Sequence, residues 1–66
     1  MTTETDGYLD EAERTPDWDM FRLRTLLTIV ERAQLYFSAE QFERWRKQCD
    51  RMQNLIREKY GKVMGS

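Results

Sequence analysis

A helix start signal followed by a narrow apolar seam in the second half of the chain constrains the fold most. Residues 38–41, Ser-Ala-Glu-Gln, match the S-x-x-Q capping box, and Phe37 with Phe42 would form a hydrophobic staple around it. Gly61 suits a left-handed C-cap, so we expect a helix over about residues 39–60. Its apolar side chains recur at the spacings of a coiled-coil seam, at Phe42, Trp45, Cys49, Met52, Ile56 and Val63.

A second start signal lies upstream, at Thr15 and Pro16. Thr15 suits the N-cap, and Pro16 suits the first helical position, where its missing N–H costs nothing. Apolar residues at helical spacing then predict a helix over about residues 16–37, with one stripe at Leu23, Leu26, Val30, Ala33 and Phe37. The opposite side of this helix is also apolar, at Trp18, Phe21, Ile29 and Tyr36.

Two such helices, joined at a capped serine, predict an all-α fold, an antiparallel two-helix hairpin over residues 15–63 with a short tail at 64–66. One continuous bent helix is the alternative, and the capping box argues against it. Two helices alone cannot enclose this much apolar surface, whereas two hairpins paired in a four-helix bundle can. We therefore expect a homodimer with a core of Leu23, Leu26, Val30, Phe37, Phe42, Cys49, Met52 and Ile56.

The charges are distributed unevenly. Residues 1–19 contain seven acidic side chains and one arginine, residues 38–66 contain seven basic and four acidic ones, and the whole chain has a net charge of −1. The first fourteen residues offer only Tyr8 and Leu9 as bulky apolar groups, so we expect a mobile acidic arm over residues 1–14. The arm would either solubilise the protein or dock on a basic face or a partner.

Composition excludes several kinds of site. The chain has no histidine and one cysteine, which leaves neither a Cys/His zinc cluster nor an internal disulfide. No nucleophile motif or Gly-rich loop is present, so we expect no enzymatic activity, no cofactor and no metal. Cys49 is either a small core hydrophobe or a reactive, dimer-linking thiol. No bilayer-spanning run or signal peptide pattern is visible, so we expect a cytoplasmic protein without a membrane partner.

Basic residues of the second helix raise the question of nucleic-acid binding. Four of them share a broad sector opposite the seam, but Glu40 and Glu58 dilute its positive field. Because the whole chain is slightly negative, we interpret this sector as a solvated face and do not expect nucleic acid as a partner. The four basic residues are Arg44, Lys47, Arg51 and Lys62.

Aromatic side chains predict a different surface. Eight of the 66 residues are aromatic, and tryptophan, tyrosine and arginine together are typical of interface hot spots. We expect this surface to bind a partner protein and to inhibit or chaperone it; the alternative is that dimerisation uses all of the aromatic residues. The partner-binding residues that we predict are Trp18, Tyr36, Arg44 and Trp45.

Three resemblances to known families imply three different kinds of partner. The run Ala39-Glu40-Gln41-Phe42, continued by Trp45, Met52 and Ile56, resembles the second helix of the small co-chaperones of type III secretion needle subunits, which implies a helical client. In size, heptads and a glycine after the last helix, the chain is similar to the Rop-type plasmid copy-number proteins, which implies a dimer that binds RNA. An acidic head with exposed aromatics resembles the short anti-activator and inhibitor proteins of phages and bacteria, which implies inhibition of a host regulator.

Overall fold

The computed structural model describes the backbone of residues 2–65 and the side chains of residues 4–60. Within this range the regular structure is entirely helical, which confirms the all-α class. It contains three α-helices where two were expected. These elements are α1 (Thr2–Arg14), α2 (Met20–Glu31), a short 3-10 helix (Gln34–Tyr36) and α3 (Ala39–Gly65).

The segment that we expected to be a mobile arm forms α1. Leu9 and Ala12 are fully buried, and Thr5 is buried on the same side of the helix. Spacings of four and three residues place these side chains in one stripe, so even a polar segment has an apolar face to pack. Because Thr5 and Ala12 are not bulky apolar residues, the sequence pattern underestimates what this segment buries.

The connection between α1 and α2 corrects the expected start of the second element. Thr15 is buried, and its Oγ1 donates to the carbonyl oxygen of Glu11 at 2.7 Å, so it closes α1 and does not cap α2. The N-cap of α2 is Asp19, whose Oδ1 accepts from the backbone N–H of Arg22 at 3.3 Å. The helix that we expected over residues 16–37 therefore begins at Met20.

The other end of α2 also differs from the expected helix. It ends at Glu31, and the 3-10 helix follows before the backbone becomes extended at Phe37, with φ −66° and ψ 139°. The capping box then forms as the sequence predicts. Ser38 Oγ accepts from the Gln41 N–H at 3.1 Å, and Gln41 Oε1 accepts from the Ser38 N–H at 3.0 Å. This break excludes one continuous helix.

The three helices pack in an up-down-up arrangement. Gln41 Nε2 donates to Asp6 Oδ1 at 3.0 Å near the start of both α1 and α3, so these two helices run parallel. Helix α2 runs against both, and Trp45 Nε1 donates to the Leu27 carbonyl at 3.4 Å. The core lies between the helices, where Ala12, Leu23, Leu26 and Leu27 meet Trp45, Cys49, Met52 and Leu55.

Helix α3 is much longer than its neighbours. It spans 27 residues, or about 40 Å, against 12 residues and about 18 Å for α2. Gly61 lies inside α3 rather than ending it, since a glycine weakens a helix without preventing it. The expected tail at 64–66 falls partly within α3, and the side chains of Lys62 and Val63 lie outside the described residues.

Candidate functional site

An open groove lies where α2 begins and α3 continues past it. Its volume is about 280 Å³. Three residues from the first turns of α2 form one wall, and four residues of α3 form the other. The lining residues are Met20, Phe21 and Arg24 of α2 with Met52, Ile56, Lys59 and Tyr60 of α3.

The groove exists because the apolar seam of α3 is longer than α2. Trp45 lies against Leu27, and α2 begins seven residues before Leu27, at Met20. In an antiparallel pair, Met20 is therefore level with about residue 52 of α3, and the seam beyond that level has no facing turn of α2. Ile56 is 39% exposed as a result.

The walls of the groove are apolar and adaptable. Phe21 is 82% exposed and Tyr60 is 50% exposed, which is unusual for large aromatic side chains. Met20 and Met52 are half-buried and unbranched, and methionine readily adjusts its shape to different ligands. Such a surface suits an apolar side chain from another helix.

Two cations with exposed side chains line the groove, one from each helix. Arg24 belongs to α2 and Lys59 to α3. The Lys59 ammonium nitrogen lies 5.7 Å from the centroid of the Tyr60 ring, within the range of a cation–π contact. The groove therefore combines an apolar lining with two positive charges, those of Arg24 and Lys59, which we call its rim.

A different set of charges holds α1 to α3. Arg44 Nε donates to Glu13 Oε2 at 2.9 Å, its Nη2 donates to Glu13 Oε1 at 3.0 Å and to Asp10, and its Nη1 lies 3.6 Å from Asp6. Hydrogen bonds to Glu13 and then to Asp10 raise the pKa of Arg44 above its ordinary value. Arg44 thus binds three carboxylates of α1. The acidic arm that we expected to dock on a basic face or a partner docks on a basic residue of the same chain.

Arg51 binds the end of α1. Its Nη1 donates to the Ala12 carbonyl at 3.2 Å, its Nη2 donates to the Thr15 carbonyl, and its Nε donates to Asp17 Oδ1 at 3.0 Å. A cation at the carbonyl end of a helix satisfies groups that lack intrahelical partners and complements the helix dipole. From the sequence we predicted that Arg51 lies on a solvated face. The opposite charges of the two ends of the chain were the only sequence signal for its contact with α1.

The four predicted partner-binding residues do not lie on one surface. Trp18 and Tyr36 are 84% and 79% exposed, but they lie before and after α2, at its opposite ends. Arg44 faces α1. Trp45 is half-buried, with its ring centroid 5.7 Å from that of Phe37 and 5.8 Å from that of Phe42.

The residues expected to form a dimer core divide into three groups by burial. Leu23, Leu26 and Val30 are buried; Phe37, Cys49 and Met52 are half-buried; Phe42 and Ile56 are exposed. Because α1 packs on α2 and α3, one chain covers part of the apolar surface that we expected a second hairpin to cover. Met52 and Ile56 instead line the groove.

The single cysteine is half-buried beside the core. Burial raises the pKa of the Cys49 thiol, and the negative charges of Glu31 and Asp50 raise it further. A thiol with a raised pKa is protonated at neutral pH and is a poor nucleophile. The environment of Cys49 therefore favours a packing role over a reactive one.

A smaller hollow of about 180 Å³ lies at the connection between α1 and α2. Most of its lining residues are polar, and Arg22 binds Glu11 there, with Nη2 at 2.8 Å from Oε2. Trp18 stands at its edge. The lining residues are Glu11, Arg14, Thr15, Pro16, Trp18, Asp19 and Arg22.

Comparison with protein-family models, curated proteins and solved structures finds no match to this chain. Within the part of the chain that the structure describes, no helix combines the length and the apolar character needed to cross a membrane. The described side chains also form no cluster of three or more cysteines, aspartates and glutamates that could hold a metal ion.

Proposed function

We propose that the protein is a non-enzymatic interaction module that binds a helix of a partner protein in the groove between α2 and α3. One observation carries this proposal: the apolar seam of α3 continues past the first turn of α2, so Phe21, Ile56 and Tyr60 remain exposed. A partner helix would extend the packing that α2 begins. This is the helix-in-groove mode of recognition.

Binding of this kind would affect a partner in one of two ways. A helix held in the groove has its apolar face covered, so the module would act as a chaperone if that face is otherwise exposed to water. If the same face normally contacts a third protein, the module would act as an inhibitor. Both outcomes need the same groove.

Arg44 and Arg51 bear on the nucleic-acid alternative. Both are held by carboxylates of the same chain, Arg44 by Glu13 and Arg51 by Asp17. A guanidinium group that is already paired with carboxylates contributes little to binding a phosphate backbone. The geometry therefore favours a protein partner over RNA.

The expected homodimer stays a prediction. Two helices cannot cover their own apolar residues, which is why we expected a dimer, but α1 supplies a third helix within the same chain. Apolar surface remains for association in the groove and at other exposed side chains, among them Trp18, Leu35, Tyr36 and Phe42. Sedimentation at micromolar concentration measures the oligomeric state.

A comparative pull-down tests the proposed function. Tagged protein would capture binding partners from the cells that produce it, and the groove variant Phe21→Ala/Ile56→Ala would be compared with the unchanged chain. Leu35→Ala/Tyr36→Ala is the control, because it also removes one aliphatic and one aromatic exposed side chain, beyond the other end of α2.

We expect the groove variant to lose the captured protein by at least about tenfold, as truncation of interface hot spots does. The control variant should retain it, and both variants should keep their helical circular dichroism. Equal capture by all three proteins would contradict the proposal, as would the absence of any protein whose capture depends on the groove.

A further inference from the structure

We infer that the groove selects helices whose apolar face is flanked by acidic residues. The inference rests on the proposed function and adds the chemistry of the partner. Two observations carry it: the positive charges at the rim of the groove, and the way in which α3 already binds α1.

The rim presents two cations to whatever occupies the groove. Arg24 and Lys59 come from different helices and line the same space. Within residues 4–60, neither of them has a carboxylate within ion-pair distance. A partner with carboxylates beside its apolar stripe would place opposite charges at both edges, which favours association and orients the partner.

Helix α1 is an example of such a ligand within the same chain. It buries an apolar stripe that includes Leu9 and Ala12, and its Asp10 and Glu13 bind Arg44 of α3. An acidic amphipathic helix therefore already packs along one side of α3 through apolar contacts and an arginine. The groove offers the same combination of groups on a neighbouring side of α3.

A second copy of this chain is less complementary in charge to the rim than an acidic helix of another protein. In a two-fold symmetric dimer the same patch faces itself, so Arg24 and Lys59 of one copy would meet those of the other. Like charges brought together at an interface oppose binding. Docking of a second copy's α1 would need carboxylates that are bound to Arg44 in its own chain. An acidic helix of another protein has neither cost.

Peptide binding tests this inference directly. The probes are two designed helical peptides of about four turns with leucine at the same seam positions; one has glutamate at the flanking positions and the other has lysine. Their affinities for the full chain would be measured by calorimetry at low and at physiological salt. The rim variant is Arg24→Ala/Lys59→Ala, and the control is Arg32→Ala/Lys47→Ala, which removes two exposed cations that do not line the groove.

We expect the glutamate peptide to bind at least about tenfold more tightly than the lysine peptide, with a preference that shrinks as salt screens the charges. The rim variant should lose this preference and the control should keep it. Equal binding of both peptides would overturn the inference while leaving the proposed function intact. If neither peptide binds, both the inference and the proposed function are wrong. Sedimentation then shows whether a second copy of the chain fills the groove. Phe21→Ala would dissociate such a dimer.

Discussion

Arg44 of α3 binds Glu13 of α1 through two parallel hydrogen bonds, from Nε to Oε2 at 2.9 Å and from Nη2 to Oε1 at 3.0 Å. The paired geometry matches the planar guanidinium to the planar carboxylate, which makes it stronger than a single contact. It joins residues 31 positions apart in the sequence. This pair therefore joins α1, the acidic first helix, to α3.

Replacing Arg44 by methionine should release α1. Methionine replaces most of the aliphatic part of the side chain but leaves the carboxylates of Asp10 and Glu13 without their cation, and we expect the free energy of unfolding to fall by about 1–2 kcal/mol. Amide hydrogen exchange should accelerate most in α1, because that helix depends on the contact. Lys47→Met is the control, since Lys47 is exposed on the same helix. Exchange that rises equally in all three helices would contradict this account of Arg44.

Leu23 should be among the most sensitive core positions. Its side chain is fully buried between α1, α2 and α3, so Leu23→Ala leaves a cavity and should lower the free energy of unfolding by about 3 kcal/mol. Phe21→Ala, two residues away, removes a larger side chain that is 82% exposed and should change stability by less than about 0.5 kcal/mol. Urea denaturation measures both. Similar losses for the two variants would show that Phe21 is buried in solution.

Gln41 should not be replaceable by glutamate, although glutamate serves equally well in a capping box. Its Oε1 accepts from Ser38, but its Nε2 also donates to Asp6 Oδ1 at 3.0 Å, and the residue is buried. Gln41→Glu places two carboxylates together and should cost about 1–3 kcal/mol. The same change made together with Asp6→Asn should cost clearly less in a double-mutant cycle. An equal cost in both backgrounds would exclude the contact with Asp6 as the cause.

Cys49 should make stability fall at alkaline pH. Burial, with the charges of Glu31 and Asp50, raises the pKa of the folded thiol, so the folded state holds this proton to a higher pH than the unfolded chain does. The contribution to stability is fully present below the thiol pKa of the unfolded chain and is lost as pH rises through the folded value. Denaturation from neutral pH to about pH 10 should therefore show a steeper decline for the unchanged chain than for Cys49→Ala. Parallel declines would argue against a shifted thiol.

Residues close together in the sequence predicted the start of α3, whereas the start of α2 depends on contacts with α1. The Ser38–Gln41 capping box is complete within four residues, so the sequence alone located it correctly. The start of α2 was misplaced because Thr15 and Asp19 are both good N-caps. Two hydrogen bonds decide between them. Asp19 accepts from the Arg22 N–H, whereas Thr15 donates to the Glu11 carbonyl, a contact that requires α1 to be a helix.

Sequence patterns predicted neither helix α1 nor the groove, because both depend on contacts between residues far apart in the sequence. The stripe of Thr5, Leu9 and Ala12 is short and contains a polar residue, and the partners of its flanking acids lie more than 30 residues away in sequence. The groove residues Met52 and Ile56 were visible as seam positions. Their exposure follows from the late start of α2 at Met20, which leaves the seam of α3 longer than the helix that faces it.

The most direct test of the central claim is a nuclear magnetic resonance titration of the full chain with the glutamate peptide. If the end of the α3 seam is the binding surface, the amide signals of Phe21, Met52, Ile56 and Tyr60 and the methyl signals of Met52 and Ile56 should shift first and saturate together. Signals of Leu9 and Ala12 should stay unchanged, because α1 remains docked. Shifts confined to α1 and Arg44, with none in the groove, would show that the peptide displaces α1 and would contradict the account.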